Sequence, residues 1–247
     1  WRKPCYLIAD EHAATFAEFQ SSFLRDVLGS RRSVARYLSD RGLMLTAKGE
    51  RDQAIQASIL TFQLARHLDR EPILVTHLVG LVLRGMGITT ANRVLRAGSV
   101  SDAARDALNA ELARHDLTES YRQALISERV FGLSSYHETM KFGRYWPSRY
   151  FWNNAVIYYL DMMASQIAQA SQPYWKVLRS GPPAIARPVT FWAVLTDMVQ
   201  QQVRPTREAT ERCRATMRCL RILNAVTRLE QQGVDVLLPR LPSPDVR

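Results

Sequence analysis

Apolar residues recur along this chain at intervals of three and four, and no run of alternating β-branched residues bounded by turn residues interrupts them. That spacing lays an apolar stripe along a helix, so the chain is predicted to be all-α, with about nine to eleven helices. A first helix is expected from an N-cap at Asp10, with Phe16, Phe19, Phe23, Val27 and Leu28 toward the core and a stop at Gly29. A second covers 34–47 and a third 52–68. The third carries two apolar stripes, one of Ile55, Ile59 and Phe62 and one of Leu60, Leu64 and Leu68, which suits a helix sandwiched between neighbours. Pro72 fits the first turn of the next helix, which runs through Leu74, Leu78 and Leu81 until Gly85 and Gly87 loosen it, with a short helix at 90–95 beyond. Ser101 and Thr118 read as N-caps of helices ending near Arg114 and Phe131. Residues 132–146 read as a loop, 147–169 as a long helix, and 189–202 and 206–232 as the last two helices.

The clearest segment is 43–68. Ala47, Ala54 and Ala65 let two antiparallel helices approach closely, and Gly49 permits the left-handed turn between them. The pattern resembles one tetratricopeptide unit, but a shift by that repeat's period of about 34 residues finds no second copy. The expected architecture is therefore irregular stacked helical hairpins with a single tetratricopeptide-like unit. Residues 1–235 form one helical domain in this reading, with a subdivision point at 181–188, where Gly181, Pro182, Pro183 and Pro188 cluster. Residues 236–247 form an extended Pro-rich tail.

Composition narrows the picture only slightly. A chain of 247 residues that is 47% apolar and 23% charged can bury a real core. The net charge of +10 comes from 29 Arg and 4 Lys, and the surplus is C-terminal: residues 1–123 carry 17 basic and 14 acidic side chains, residues 124–247 carry 16 and 9. Cys213 and Cys219 fall on different faces of one helix, and Cys5 stands alone, so free thiols are expected. The longest apolar run, 73–83, contains His77 and meets Arg84 well short of the ~20 residues of a membrane span. The sequence begins at Trp1, which is compatible with a leader or anchor ahead of it.

Patterns that could carry chemistry are few. Glu128 lies on the apolar side of its helix beside Ala124, Leu125 and Phe131, so its carboxyl is either paired or has a raised pKa. A raised pKa suits a general acid, as in glycoside cleavage, with Glu138 or Asp161 as the second carboxylate; the plainer reading is a buried Arg–Glu pair. His137-Glu138 opens like a zinc-protease helix, but position 141 is Lys where the second histidine belongs. His67, His77 and His115 share no ligand spacing, Gly85-Met86-Gly87 lacks the rest of a phosphate loop, and no Gly-x-Ser-x-Gly elbow occurs. No metal and no cofactor are expected.

Two features suggest surfaces instead. Residues 142–192 hold more than half of the aromatic side chains, with Asp161 as the one acid; most of these rings are expected to fill the core, and Tyr145, Trp146 and Arg149 to be exposed near Pro147. On the last helix Arg207, Arg214, Arg218, Arg221 and Arg228 fall within an arc of about 80°, a basic stripe suited to phosphates or lipid head groups, though such stripes are usually solvated faces. Ala209, Cys213, Met217, Leu220 and Leu223 occupy the packed side.

The run AKGERDQAIQASILTFQLARHLDREPILVTHLVGLVLR, the later ALISERVFGL and the stretch RILNAVTRLEQQG resemble a family of uncharacterised all-helical proteins common in planctomycete-type bacteria, over about residues 20–235. The resemblance implies a helical fold and an envelope location through a hydrophobic anchor outside this chain. It includes Glu128 and Arg129 but implies no role for them, and no activity. The expected function is a non-enzymatic protein-interaction or scaffold domain that holds a protein partner. An all-α hydrolase with Glu128 as acid is one alternative, and an anion-binding module using the arginine stripe on nucleic acid or lipid is another.

Overall fold

The computed structural model describes residues 28–71, 73–140, 146–181, 185 and 191–233; the side chains of 135–140, 146–152 and 191–202 lie outside that description. Every regular element among the described residues is a helix: α1 (Leu28–Ala47), α2 (Arg51–Leu68), α3 (Leu74–Ala97), α4 (Asp102–Ala113), α5 (Leu117–Met140), α6 (Trp146–Ala170), α7 (Tyr174–Ser180) and α8 (Phe191–Gln231). The all-α expectation holds.

α3 is the central helix, touching α1, α2, α5 and α8. The apolar run 73–83 alone is too short for a membrane span, but the helix continues past Arg84 to Ala97 and as a whole is long and apolar enough to cross a membrane by length and composition, with a mean hydropathy of 1.4 over its best window. Here that apolarity fills a core. Leu81, Ala91, Val94 and Leu95 of α3 meet Ala54, Ile55, Ile59 and Phe62 of α2, Leu108 of α4, and Cys213, Met217 and Leu220 of α8. A second cluster joins Tyr121, Ala124 and Leu125 of α5 to Tyr159, Met162 and Met163 of α6 and Val203 of α8. A third cluster joins Leu28 and Ala35 of α1 to Ala65 and Leu68 of α2 and Leu83 of α3, and burial in the three clusters, at about 25 cal/mol per Å² of apolar surface, holds the helices together.

The α1–α2 hairpin closes where the sequence places it. Gly49 sits at φ +82°, and the Glu50 N–H bonds to the Leu45 carbonyl across the turn. Ser101 caps α4 by accepting the Ala104 N–H. Ile55, Ile59 and Phe62 form one buried stripe of α2, and buried Leu68 with half-buried Leu64 packs on the other side in a cluster shared with α1 and α3, so α2 is sandwiched as its two stripes predict; Leu60 alone of these six is exposed.

Several expected breaks are absent. The chain is helical from Leu28 straight through Gly29, and no stop occurs there. α3 continues through Gly85 and Gly87 without a second short helix. Gly87 is a packing residue: a Cβ there would stand 3.1 Å from the Phe62 ring, so glycine lets α2 press against α3. The cap of α5 is Asp116, whose Oδ1 accepts the Thr118 and Glu119 N–H groups, and not Thr118. α5 also runs on to Met140 where a loop was expected from 132, because Gly132 lies against Tyr159 and ties this extension to α6. Finally, α8 passes through Pro205 as one helix. Proline removes one backbone donor, but Val203, Thr206 and Arg207 are buried around it and hold the helix line. The expected first helix from Asp10, Pro72, and the tail 236–247 lie outside the described residues.

Candidate functional site

The most concentrated polar chemistry is a chain of buried groups crossing the core. Arg84, fully buried on α3, forms an ion pair with Asp69 and donates Nε–H to His115 Nδ1 at 3.1 Å. That bond makes Nδ1 the acceptor and puts the ring proton on Nε2, which faces Glu111 at 3.6 Å. Glu111 is in turn held by Arg66 at 3.0 Å and Arg114 at 3.3 Å. On the other side, Asp69 accepts the Ser120 hydroxyl at 2.8 Å, Ser120 meets His77 Nδ1 at 3.1 Å, and His77 Nε2 meets Thr210 at 2.9 Å. The turn after α2, together with helices α2, α3, α4, α5 and α8, is thereby tied into one network.

Serine, histidine and aspartate are adjacent here, but not in a nucleophilic order. In a working triad the carboxylate holds one histidine nitrogen and the serine meets the other. Ser120 instead stands between Asp69 and His77, its hydroxyl proton directed to the carboxylate, and the far nitrogen of His77 faces Thr210. His77 is also sealed from solvent. Burial, aided by the nearby Arg84 charge, lowers the His77 pKa to about 3; burial with Arg84 and Arg66 does the same to His115. Both rings are neutral structural connectors at ordinary pH.

Glu128 is half-buried on α5 at the start of α3, where the Leu74 N–H supports its carboxylate; burial outweighs this and raises its pKa. Among the described residues no arginine offsets that burial, so the Arg–Glu pair is not seen. Its backbone carbonyl accepts the Tyr159 hydroxyl at 2.8 Å. Asp161 lies two residues, about 200°, round α6 from Tyr159 and is exposed, so the structure does not bring it to Glu128. The side chains of His137 and Glu138 lie outside the described residues, as do Tyr145 and the side chains of Trp146 and Arg149.

The five arginines of the C-terminal helix do not form one exposed stripe. Arg207 is buried, donates to the Gln169 and Gln172 carbonyls at 2.8 and 2.9 Å, and stacks over Tyr174, capping the end of α6. Arg228 bridges Asp102 and Asp106 of α4, each at 2.8 Å. Beneath it, buried Arg105 donates to the Asn224 carbonyl, Asn224 Oδ1 and Thr227, pinning α4 to α8. Arg214 is 3.6 Å from Glu211, and Arg218 and Arg221 are exposed.

What sequence reasoning missed lies beside them. Ala215, Cys219 and Ile222 are exposed on α8, followed by half-buried Val226 and exposed Leu229; Ile222 is 61% accessible. Their spacing of four, three, four and three is present in the sequence, interleaved with the arginines of the adjoining flank. A cleft of about 480 Å³ lies elsewhere, between Gly49–Gln53 and Ser99–Ser101, and contains Arg51. Among the described residues no group of three or more His, Cys, Asp and Glu is placed to hold a metal ion. No protein-family model, curated protein or solved structure matches this chain.

Proposed function

We propose that this chain is a helical protein-interaction domain that works through the outer face of α8. The observation that carries this reading is the double-sided character of that helix. Thr206, Thr210, Cys213, Met217, Leu220 and Asn224 face the core, while Ala215, Cys219, Ile222, Val226 and Leu229 form a second seam on the opposite side. A solvated helix face normally carries charge; an apolar seam at coiled-coil spacing is the ordinary means of holding another helix. In this reading the α1–α2 hairpin is a tetratricopeptide-like unit within irregular stacked hairpins. The resemblance to envelope-associated planctomycete-type proteins supports a scaffold held at the envelope.

The test is crosslinking in the native cell, with a photo-reactive amino acid in place of Ile222 and, as control, in place of exposed Arg93 on α3. A discrete adduct from position 222 and none from 93 is expected. Turnover of a glycan or other defined substrate that Glu128→Gln abolishes, with no adduct at 222, would replace this reading by the hydrolase.

A further inference from the structure

Beyond the existence of a docking face, its chemistry specifies an occupant. The seam spans positions 215–229, two heptads and about 21 Å of helix. In heptad terms Ala215, Ile222 and Leu229 occupy one core position and Cys219 and Val226 the other, which is the register of a helix that receives a second helix alongside it. Ala215 and Cys219 are small and permit close approach at one end; Ile222 and Leu229, 61% and 40% accessible, supply apolar bulk at the other.

Charge selects among helices. Arg214, Arg218 and Arg221 line one flank of the seam, Arg212 extends the Cys219 and Val226 row toward the N-terminus, and the other flank carries Thr216, Leu223 and, at its far end, Glu230. Among the described residues Arg218 and Arg221 are exposed and make no ion pair, and Arg214 has only the 3.6 Å contact to Glu211. The inner arginines behave otherwise: Arg105, Arg207 and Arg228 are each committed to carbonyls or carboxylates of the fold. A second copy of the chain fits poorly. Antiparallel pairing sets the Arg218 flank against itself, and parallel pairing sets Arg218 beside Leu223, where no carboxylate answers it. A membrane surface fits poorly too, because the seam is narrow, two of its five residues are Ala and Cys, and it carries no aromatic residue.

We propose that the outer face of α8 docks an acidic amphipathic helix of a partner protein, apolar side against Ala215, Cys219, Ile222, Val226 and Leu229, and carboxylates against Arg214, Arg218 and Arg221. The proposal rests on the interaction-domain reading and adds the partner's chemistry to it. The probe is a synthetic three-heptad helix with leucine at its core positions and glutamate at its flanks, compared with the same peptide carrying lysine there. The full chain binds the glutamate peptide at least about tenfold more tightly than the lysine peptide at low salt, and the difference shrinks as salt rises. Ile222→Ser with Leu229→Ser removes binding while the melting temperature stays at the wild-type value. Arg218→Glu with Arg221→Glu reverses the preference toward the lysine peptide.

Equal binding of the two peptides, or binding of neither, overturns the proposal. So does a seam-dependent dimer in sedimentation, or seam-dependent capture by vesicles of phosphatidylserine and phosphatidylcholine in place of peptide binding. If neither peptide binds but the crosslink from position 222 persists, the interaction domain stands and the acidic helix falls; if the crosslink is also missing, both fall.

Discussion

The interior around α3 and the outer side of α8 distribute polarity in opposite ways. Inside, Arg84, Arg105, Glu111 and His77 are buried; outside, Ile222, Leu229 and Cys219 face solvent. Each inner charge has partners fixed by several helices, so removing one leaves another stranded in a medium that solvates it poorly. Such a network adds little net stability over an apolar core, but it favours one helix arrangement over its competitors. The outer seam does the reverse: it contributes little to the fold and leaves apolar surface in water. The comparison teaches that one helix commits one side to the fold and leaves an apolar row open on the other, and the following changes test that division.

The largest effect belongs to Arg84→Ala. It strands Asp69 and removes the donor to His115, and is expected to cost about 3–5 kcal/mol, read as a fall in the urea midpoint. Arg105→Ala follows, at about 2–3 kcal/mol, since Asn224 and Thr227 lose their shared donor and α8 loosens from α4. The same variant is expected to speed amide exchange near 224.

Acid attacks the interior through its histidines. His77 and His115 have folded pKa values of about 3, against about 6.5 in the unfolded chain, so between those values the unfolded chain holds more protons. Their contribution is whole above pH 6.5 and lost as pH falls toward 3, with a slope of up to about 1.4 kcal/mol per pH unit for each ring. Glu128 acts in the other direction, because its raised pKa makes its contribution decline as pH rises. Chemical unfolding from pH 7 to pH 5 measures the sum, and His77→Gln and His115→Gln should each flatten it.

Glycines give a smaller contrast within α3. At position 87 alanine must push the Phe62 ring and is expected to cost about 1–2 kcal/mol, whereas at position 85, with nothing within 4 Å, alanine should stabilise by about 1 kcal/mol. Smallest of all is Ile222→Ser with Leu229→Ser, which should shift stability by no more than about 0.5 kcal/mol although two large apolar side chains are lost. A large loss there would mean that the outer face is part of the fold.

Local signals were legible wherever a residue's own conformation decides the outcome: the turn at Gly49, the cap at Ser101 and the inner stripe of α2 followed from residue type alone. Propensity alone reads breaks at Gly87, Pro205 and 132, and tertiary packing overrides each, most clearly where Gly87 admits the Phe62 ring; at exposed Gly29 no packing contact explains the continued helix. Periodicity could not announce that Arg84 and Arg105 are core residues, since an arginine reads as surface until distant partners, Asp69 15 positions from Arg84 and Thr227 122 positions from Arg105, are in place. Glu128 was rightly placed toward the interior, but its neighbour proved to be the Leu74 N–H and not an arginine. The seam of α8 was legible in its spacing, and only exposure revealed which of the helix's two apolar rows was left open.

The two cysteines of α8 report on its two faces directly. Cys213 is buried, with a thiol pKa raised by that burial, and Cys219 is exposed. In a Cys5→Ser chain, labelling by a thiol reagent should modify Cys219 at once and Cys213 only as the protein unfolds, and the glutamate peptide should slow the Cys219 reaction alone. Equal rates at the two thiols, or a Cys219 rate untouched by saturating peptide, would contradict the division between a committed inner face and an open, docking outer one.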